Sequence, residues 1–329
     1  MKHRLIIFPG PSDGFAPSLL DGFLKALKSR GEIDSVKICI TSRDGSRFLF
    51  ALRSLLIFSV KTLFNPREAR NIRRPKIATV TTVAKRYGAE TIEPPLYEIN
   101  NPAFIRQLES RYEPTIGLSL GCLQIWGTSL LRVFDLAVNF HNGYLPNYKG
   151  LGATQWSIYR GEKYSGYAFH LMDKGIDTGP VICRGRVPIQ SNMSPAAIDR
   201  LKYAAALKDV GKVLDGMISG QVESIVQPKG GSYFSGKDSE KIRTIDDPIK
   251  LTSEELHRRV HCFPQLTMQI EDVYYPVTSL MPVGKKVMPL SFVTADDVKL
   301  FPDRLRYVPT RLYLAALRLK ALKDTGFPR

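Results

Sequence analysis

Leu136-Ala137-Val138-Asn139-Phe140-His141 runs straight into Asn142-Gly143-Tyr144-Leu145-Pro146, and this stretch decides how the middle of the chain folds. Residues 136–141 alternate as a strand does, so Asn139 and His141, two apart, project from the same face. Gly143 and Pro146 end the alternation in a corner. Downstream, Ser165–Leu171 reads as a neighbouring strand. Asp177 follows it in Gly175-Ile176-Asp177-Thr178-Gly179-Pro180, a loop broken by Gly175 and Gly179. A neutral amide, an imidazole and a carboxylate gathered from two strand ends suit acyl transfer. The Asn139 amide can donate to an oxyanion, His141 can move a proton, and Asp177 can orient the imidazole and order a relay water. In a partly dry pocket Asp177 is expected to hold a raised pKa.

Toward the N-terminus, Arg4-Leu5-Ile6-Ile7-Phe8 reads as a buried parallel strand, followed by the turn Gly10-Pro11-Ser12-Asp13-Gly14 and a helix from about Pro17 to Ser29. Strands follow at Val36–Ile40, Ala89–Ile92 and Thr115–Leu120, with helices near Val80–Tyr87 and Pro102–Tyr112. This alternation implies βαβ units and an α/β fold: a doubly wound, mostly parallel Rossmann-like sheet. Ligands of such sheets bind beyond the carboxyl ends of the strands, where Asn139, His141 and Asp177 lie. Gly10–Gly14 lacks G-x-G-x-x-G, so nothing points to a nicotinamide cofactor. Ser194-Pro195 starts a long helix reaching about Ile218, with Ser as cap and Pro at the first position. Gln227–Lys237 reads as a linker. Beyond it a short helix at 252–260 and strands at Tyr274–Leu280 and Ser291–Thr294 predict a smaller, partly β C-terminal module. The expected domains are therefore residues 1–228 and 229–329.

The stretch 136–182 resembles the core signature of the formyltransferases that use 10-formyltetrahydrofolate. The elements carrying the likeness are Asn139, His141, Leu145-Pro146, Tyr148-Lys149-Gly150, His170 and Ile176-Asp177-Thr178-Gly179-Pro180, in order and spacing. The resemblance implies a one-carbon transferase whose catalytic residues are Asn139, His141 and Asp177. It implies a folate pocket lined by Leu123, Gln124 and Ile125 and closed by Lys174 and Gly175. His170, Asn142, Tyr144 and Ser12 fall on its second shell or acceptor side. The formyl donor is the only co-substrate it implies, and no metal is called for. Acceptors in the family differ. Asn142-Gly143-Tyr144 stands where many members carry a Ser, which leaves the acceptor open and weakens a formyltetrahydrofolate hydrolase reading. A nucleotide-linked amino sugar or other small amine is favoured, with methionyl-tRNA as the alternative.

The 329 residues carry a formal charge of +16. Such a surplus suits tRNA, anionic lipid or a phosphorylated substrate, and charge alone does not choose among them. Residues 43–76 hold nine basic and two acidic side chains around Phe48–Leu52 and Leu55–Phe58. This apolar insertion is too short and too charged for a membrane span. A helix lying at a membrane surface and a helix packed on the protein both remain open. The same holds for 301–329, where Arg304, Arg311 and Arg318 recur every seven residues. Cys39, Cys122, Cys183 and Cys262 never form C-x-x-C and read as buried reduced thiols. No leader is evident at Met1-Lys2-His3-Arg4, so the expected location is cytoplasmic, with peripheral membrane contact through the two basic segments as an open case.

Overall fold

Arg4 to Phe8 forms the body of β1 (His3–Pro9), and its side chains divide by period two between two cores. Leu5 and Ile7 join one layer and Ile6 and Phe8 the other, as expected of a strand covered on both faces. The computed structural model describes residues 2–11, 15–28, 30–41, 79–190, 193–263, 266–270, 273–277, 279–283 and 290–303. Ser12, the basic insertion at 43–76 and the stretch from 304 onward lie outside the described residues.

The first layer is built by α1 (Ala16–Leu27) and contains Phe23, Leu24 and Leu27. The strands β2 (Ile33–Cys39), β3 (Glu90–Ile92), β4 (Ile116–Leu120) and β5 (Leu136–His141) extend the sheet, with α2 (Val80–Arg86), α3 (Pro102–Gln107) and α4 (Thr128–Leu131) between them. Next come the two-residue β6 (Lys149–Gly150), α5 (Ala153–Tyr159), β7 (Tyr164–Leu171), β8 (Val181–Pro188) and α6 (Pro195–Ser219). Among the described residues the main sheet has the order β3-β2-β1-β4-β5-β7-β8. It is parallel from β3 to β5, whereas β7 runs antiparallel to β5 and β8 antiparallel to β7. The mostly parallel α/β fold expected from the alternation is what forms. β7 and β8 are joined by residues 172–180, too short a connection to hold a crossover helix, so the two run antiparallel.

α6 is started by Ser194, whose hydroxyl accepts from the Ala197 N–H, and ends at Gly220 in the left-handed region. Its apolar stripe, Ile198, Ala206, Val210, Leu214 and Met217, packs into the same layer as α1 or beside it. On β5, Val138 and Phe140 enter this layer, which turns Asn139 and His141 to the opposite face.

By its internal contacts the chain divides into two compact units, Met1–Thr154 with Lys163–Tyr233 and Gln155–Glu162 with Phe234–Arg329. The second unit contains α7 (Gly236–Arg243), α8 (Ser253–Cys262) and two small sheets. One joins β10 (Thr244–Ile245) to the hairpin β11 (Leu266–Ile270) and β12 (Val273–Val277), counting Tyr233–Phe234 as β9. The other is β13 (Ser279–Pro282), β15 (Lys299–Asp303) and β14 (Phe292–Val293), in that spatial order. Trp156 stacks on Phe234 and meets Phe263 edge-on at its centre. Among the described residues no helix is long and apolar enough to cross a membrane.

Candidate active site

Strand register brings the site together. β5 aligns Asn139 with Ser119 of β4 on one side and with His170 of β7 on the other. The loop after β7 then returns Asp177 over the same strand ends. Asp177 adopts a left-handed φ of 55°, which short polar side chains tolerate better than most. Gln227 holds this loop through its amide, which donates to the carbonyls of Asp177 at 2.9 Å and Gly179 at 2.7 Å. Asn139, His141, His170 and Asp177 thus form one polar cluster, with the two histidines buried and Asn139 and Asp177 half-buried.

The hydrogen bonds define its proton arrangement. His170 Nδ1 donates to the Leu171 carbonyl at 2.7 Å, leaving Nε2 to accept from Asn139 Nδ2 at 3.0 Å. The second Asn139 N–H points to Asp177 Oδ1 at 3.3 Å. The sequence reading expected this amide to be available to an oxyanion, but both its hydrogens are engaged. His141 Nε2 donates to the Tyr148 carbonyl at 2.7 Å. In the neutral ring Nδ1 then carries a lone pair, 3.3 Å from Asp177 Oδ2. A proton arriving at Nδ1 turns that gap into a charge-assisted hydrogen bond.

Electrostatics correct one expectation. Burial does raise the Asp177 pKa, and it is the largest single influence. The imidazoles of His141 and His170 and the Gly150 N–H, which Oδ2 accepts at 2.8 Å, together outweigh it and bring the carboxyl down to about 2. Burial lowers the His141 pKa below 6.5. Asp177 and the Tyr148 carbonyl offset this in part, and His170 and Lys202 add to it. At neutral pH the resting site therefore pairs an ionised Asp177 with a neutral His141. Because the Asp177 pKa falls from 3.8 to about 2 on folding, its contribution to stability is complete above pH 4 and is lost as the pH drops through 2. That contribution is about 2 kcal/mol. Urea unfolding followed from pH 5 to pH 2 should show this loss in the native chain and not in Asp177→Asn.

Behind His141 lies a second polar group that the sequence reading missed. Lys202 of α6 has no exposed surface. Its Nζ donates to the Asn142 carbonyl at 2.9 Å and to Thr154 Oγ1 at 2.5 Å, with Asp199 Oδ1 at 3.6 Å. Asn142 Nδ2 donates to the same Asp199 oxygen at 2.9 Å. Burial brings the Lys202 pKa down to about 8, against the pull of Asp199. A signal existed in the sequence, since Ile198, Lys202, Ala206 and Val210 recur every four residues and put a lysine in an apolar stripe. Gly143 completes this turn. A Cβ there would collide with His141 Nε2 and the Tyr148 carbonyl, the two atoms of the hydrogen bond that fixes the ring. Gly143→Ala should therefore cost about 1–3 kcal/mol, read as a lower urea midpoint, and should displace the imidazole.

The remaining candidates divide. Asn142 turns away from the cluster toward Asp199, Thr154 and Tyr203, so it belongs to the supporting network. Gln124 does not offer its side chain to a ligand in this arrangement. Its amide donates to the carbonyls of Thr41 and Tyr97 and accepts from the Ile99 N–H, tying the β4–α4 loop to its neighbours. Leu123 and Ile125 on either side are 69% and 64% exposed. Lys174 and Gly175 are exposed, and Asp173 shapes their turn by accepting from the Gly175 N–H at 3.0 Å and the Thr178 hydroxyl at 2.6 Å. Tyr144 is half-buried between Arg184 and Arg186. All four cysteines are free, Cys39 and Cys262 being buried.

A family model described as formyl transferase matches residues 61–205, which span the Asn139, His141, His170 and Asp177 cluster. Over this stretch the chain is similar to the formyl transferase family. Methionyl-tRNA formyltransferase of Trichlorobacter lovleyi is 29% identical over 158 residues, 47% of this chain and 49% of that protein. Its counterpart in Myxococcus xanthus is 26% identical over 188 residues, 56% and 58% of the two chains. The chain thus matches about half the length of these curated relatives. Among solved structures, the N-formyltransferase of Helicobacter canadensis in complex with folinic acid and dTDP-3-aminofucose shares the fold with a TM-score of 0.59 at 20% identity. The match covers 92% of this chain and 99% of that one. A 4-N formyltransferase of Francisella tularensis gives 0.57 at 16% identity, over 93% and 99%.

Proposed function

We propose that this chain transfers a formyl group from 10-formyltetrahydrofolate to an amine. The observation that carries this reading is the polar cluster itself: neutral His141 beside ionised Asp177, with Asn139 and His170 locked against them. An amine attacking the formyl carbonyl produces a tetrahedral centre and must shed a proton. His141 Nδ1 accepts that proton, and Asp177 stabilises the imidazolium across their short gap. The Asn139 N–H that makes the longer bond to Asp177 is the one to be released to the developing oxyanion. The proton then passes to the departing folate nitrogen. Leu123 and Ile125 supply an apolar wall to the pterin, with Lys174 and Gly175 on the other side; the Gln124 side chain holds that wall in place. Residues 1–228 would form the catalytic domain, with residues 229–329 an accessory module.

For the acceptor we favour a nucleotide-linked amino sugar. The fold likeness to sugar N-formyltransferases runs through more than nine-tenths of the chain, including the second unit. Methionyl-tRNA is the second reading, favoured by the curated relatives, although that likeness covers about half their length. The test is tetrahydrofolate release from 10-formyltetrahydrofolate with methionyl-tRNA, a panel of nucleotide-linked amino sugars, or no acceptor. Turnover that requires one acceptor identifies the substrate. Equal turnover without acceptor would replace the transferase by a hydrolase, and no turnover with no folate binding would end the enzymatic reading.

A further inference from the structure

Beside the cluster, at the open edge of the sheet, stands a cationic platform that formyl transfer as described leaves unused. Arg184 and Arg186 are two apart on β8, opposite Ala168 and Gly166 of β7. Ala168 is in turn opposite His141 on β5. Paired residues of antiparallel strands share a face, so both arginines lie on the same side of the sheet as His141. Two strand spacings, about 10 Å, separate the Arg184 backbone from that of His141, and Arg186 stands two residues further along β8.

The two guanidinium groups are held by one ring. Their central carbons lie 4.6 Å (Arg184) and 3.9 Å (Arg186) from the centroid of Tyr144. That ring packs over Gly166, where a Cβ would come within 2.9 Å of it, so the missing side chain on β7 makes room for the tyrosine. Arg184 also donates to the Leu145 carbonyl. Both arginines are exposed, and among the described residues neither forms an ion pair with a carboxylate. Two cations fixed side by side on a ring, with most of their planar donors unspent and no counter-charge, are preorganised for a multivalent oxyanion.

We propose that Arg184 and Arg186, braced on Tyr144, bind the diphosphate of a nucleotide-linked amino sugar and so deliver its amine to His141. The spacing suits this acceptor, since the sugar ring and its glycosidic oxygen span the gap between the phosphates and the reacting nitrogen. The compact pair of donors on one strand matches a single diphosphate better than an extended polyanion. The inference rests on the formyl-transfer reading for its orientation, but the anion site can be tested separately.

The test uses the full chain and four probes, inorganic pyrophosphate, thymidine diphosphate, folinic acid and methionyl-tRNA, titrated calorimetrically into the native protein and into R184Q/R186Q. Pyrophosphate and thymidine diphosphate should bind the native chain and bind the double variant about tenfold or more weakly. Folinic acid should bind both alike, which also verifies that the variant is folded. R184K/R186K, keeping charge without the planar fork, should fall between. Pyrophosphate binding that is absent, or unchanged in the double variant, overturns the site even if folinic acid binds and the formyl-transfer reading stands. Arginine-dependent pyrophosphate binding without folinic acid binding supports the site and sinks the reading. A double variant that loses methionyl-tRNA binding while keeping its affinity for pyrophosphate would assign the platform to tRNA and overturn the proposal.

Discussion

His141→Ala is expected to slow formyl transfer by about 10²–10⁴-fold, the range for losing a positioned acid–base group, while folinic acid continues to bind. The imidazole is placed to take a proton, with Nε2 fixed on the Tyr148 carbonyl and Nδ1 facing Asp177. The pH profile separates this role from a purely structural one. Since only the neutral ring accepts a proton, activity should fall on the acid side with a midpoint below 6.5. The Asp177 carboxylate raises the His141 pKa, so Asp177→Asn should move that midpoint still lower as well as reduce the rate. Lys202 lowers it, so Lys202→Met should move the midpoint upward. Opposite displacements in the two variants are the expected result. A midpoint that ignores both substitutions would show that some other group governs the limb.

Lys202→Met should destabilise the fold by about 1–3 kcal/mol, the usual cost of leaving buried hydrogen-bond partners without their donor. The methionine fills the space, but Asp199 keeps a charge whose nearest cation has gone, and the Asn142 carbonyl loses its donor. Lys202→Met/Asp199→Asn should recover part of the loss, because it removes the orphaned charge. Lys202 also predicts an alkaline effect. Its pKa falls from 10.5 to about 8 on folding, so the buried ammonium is a burden at neutral pH that is relieved as the pH rises from 8 to 10.5. The relief is about 3 kcal/mol. The difference in urea stability between the native chain and Lys202→Met should therefore widen across that window. A constant difference would mean that folding leaves the Lys202 pKa unchanged.

Much of this arrangement could be read from local patterns. The period-two alternation at 136–141 put Asn139 and His141 on one face because a pleated strand allows nothing else, and β5 carries them so. The long helix from Ser194-Pro195 followed from a cap and a fixed φ, both properties of a few adjacent residues. The family likeness lay in the spacing of Asn139, His141, His170 and Asp177, and the four side chains do meet. The direction of β7 and the whole of β8 were not anticipated, since strand pairing depends on partners distant in sequence.

What the chain's own residues determined, then, was the alternation of elements and the chemistry available at two strand ends. Tertiary structure decided how that chemistry is tuned. A sequence argument that weighs burial alone raises the Asp177 pKa. Only the distances to His141, His170 and the Gly150 N–H reverse the sign, because Coulomb and hydrogen-bond energies depend on separation. Gln124 carries the right side chain to read a ligand, yet the convergence of Thr41, Tyr97 and Ile99 spends its hydrogen bonds on the loop. Lys202 stands in an apolar stripe from which a long side chain could have reached solvent. Packing against Thr154 and the Asn142 carbonyl kept its charge inside, one residue from His141.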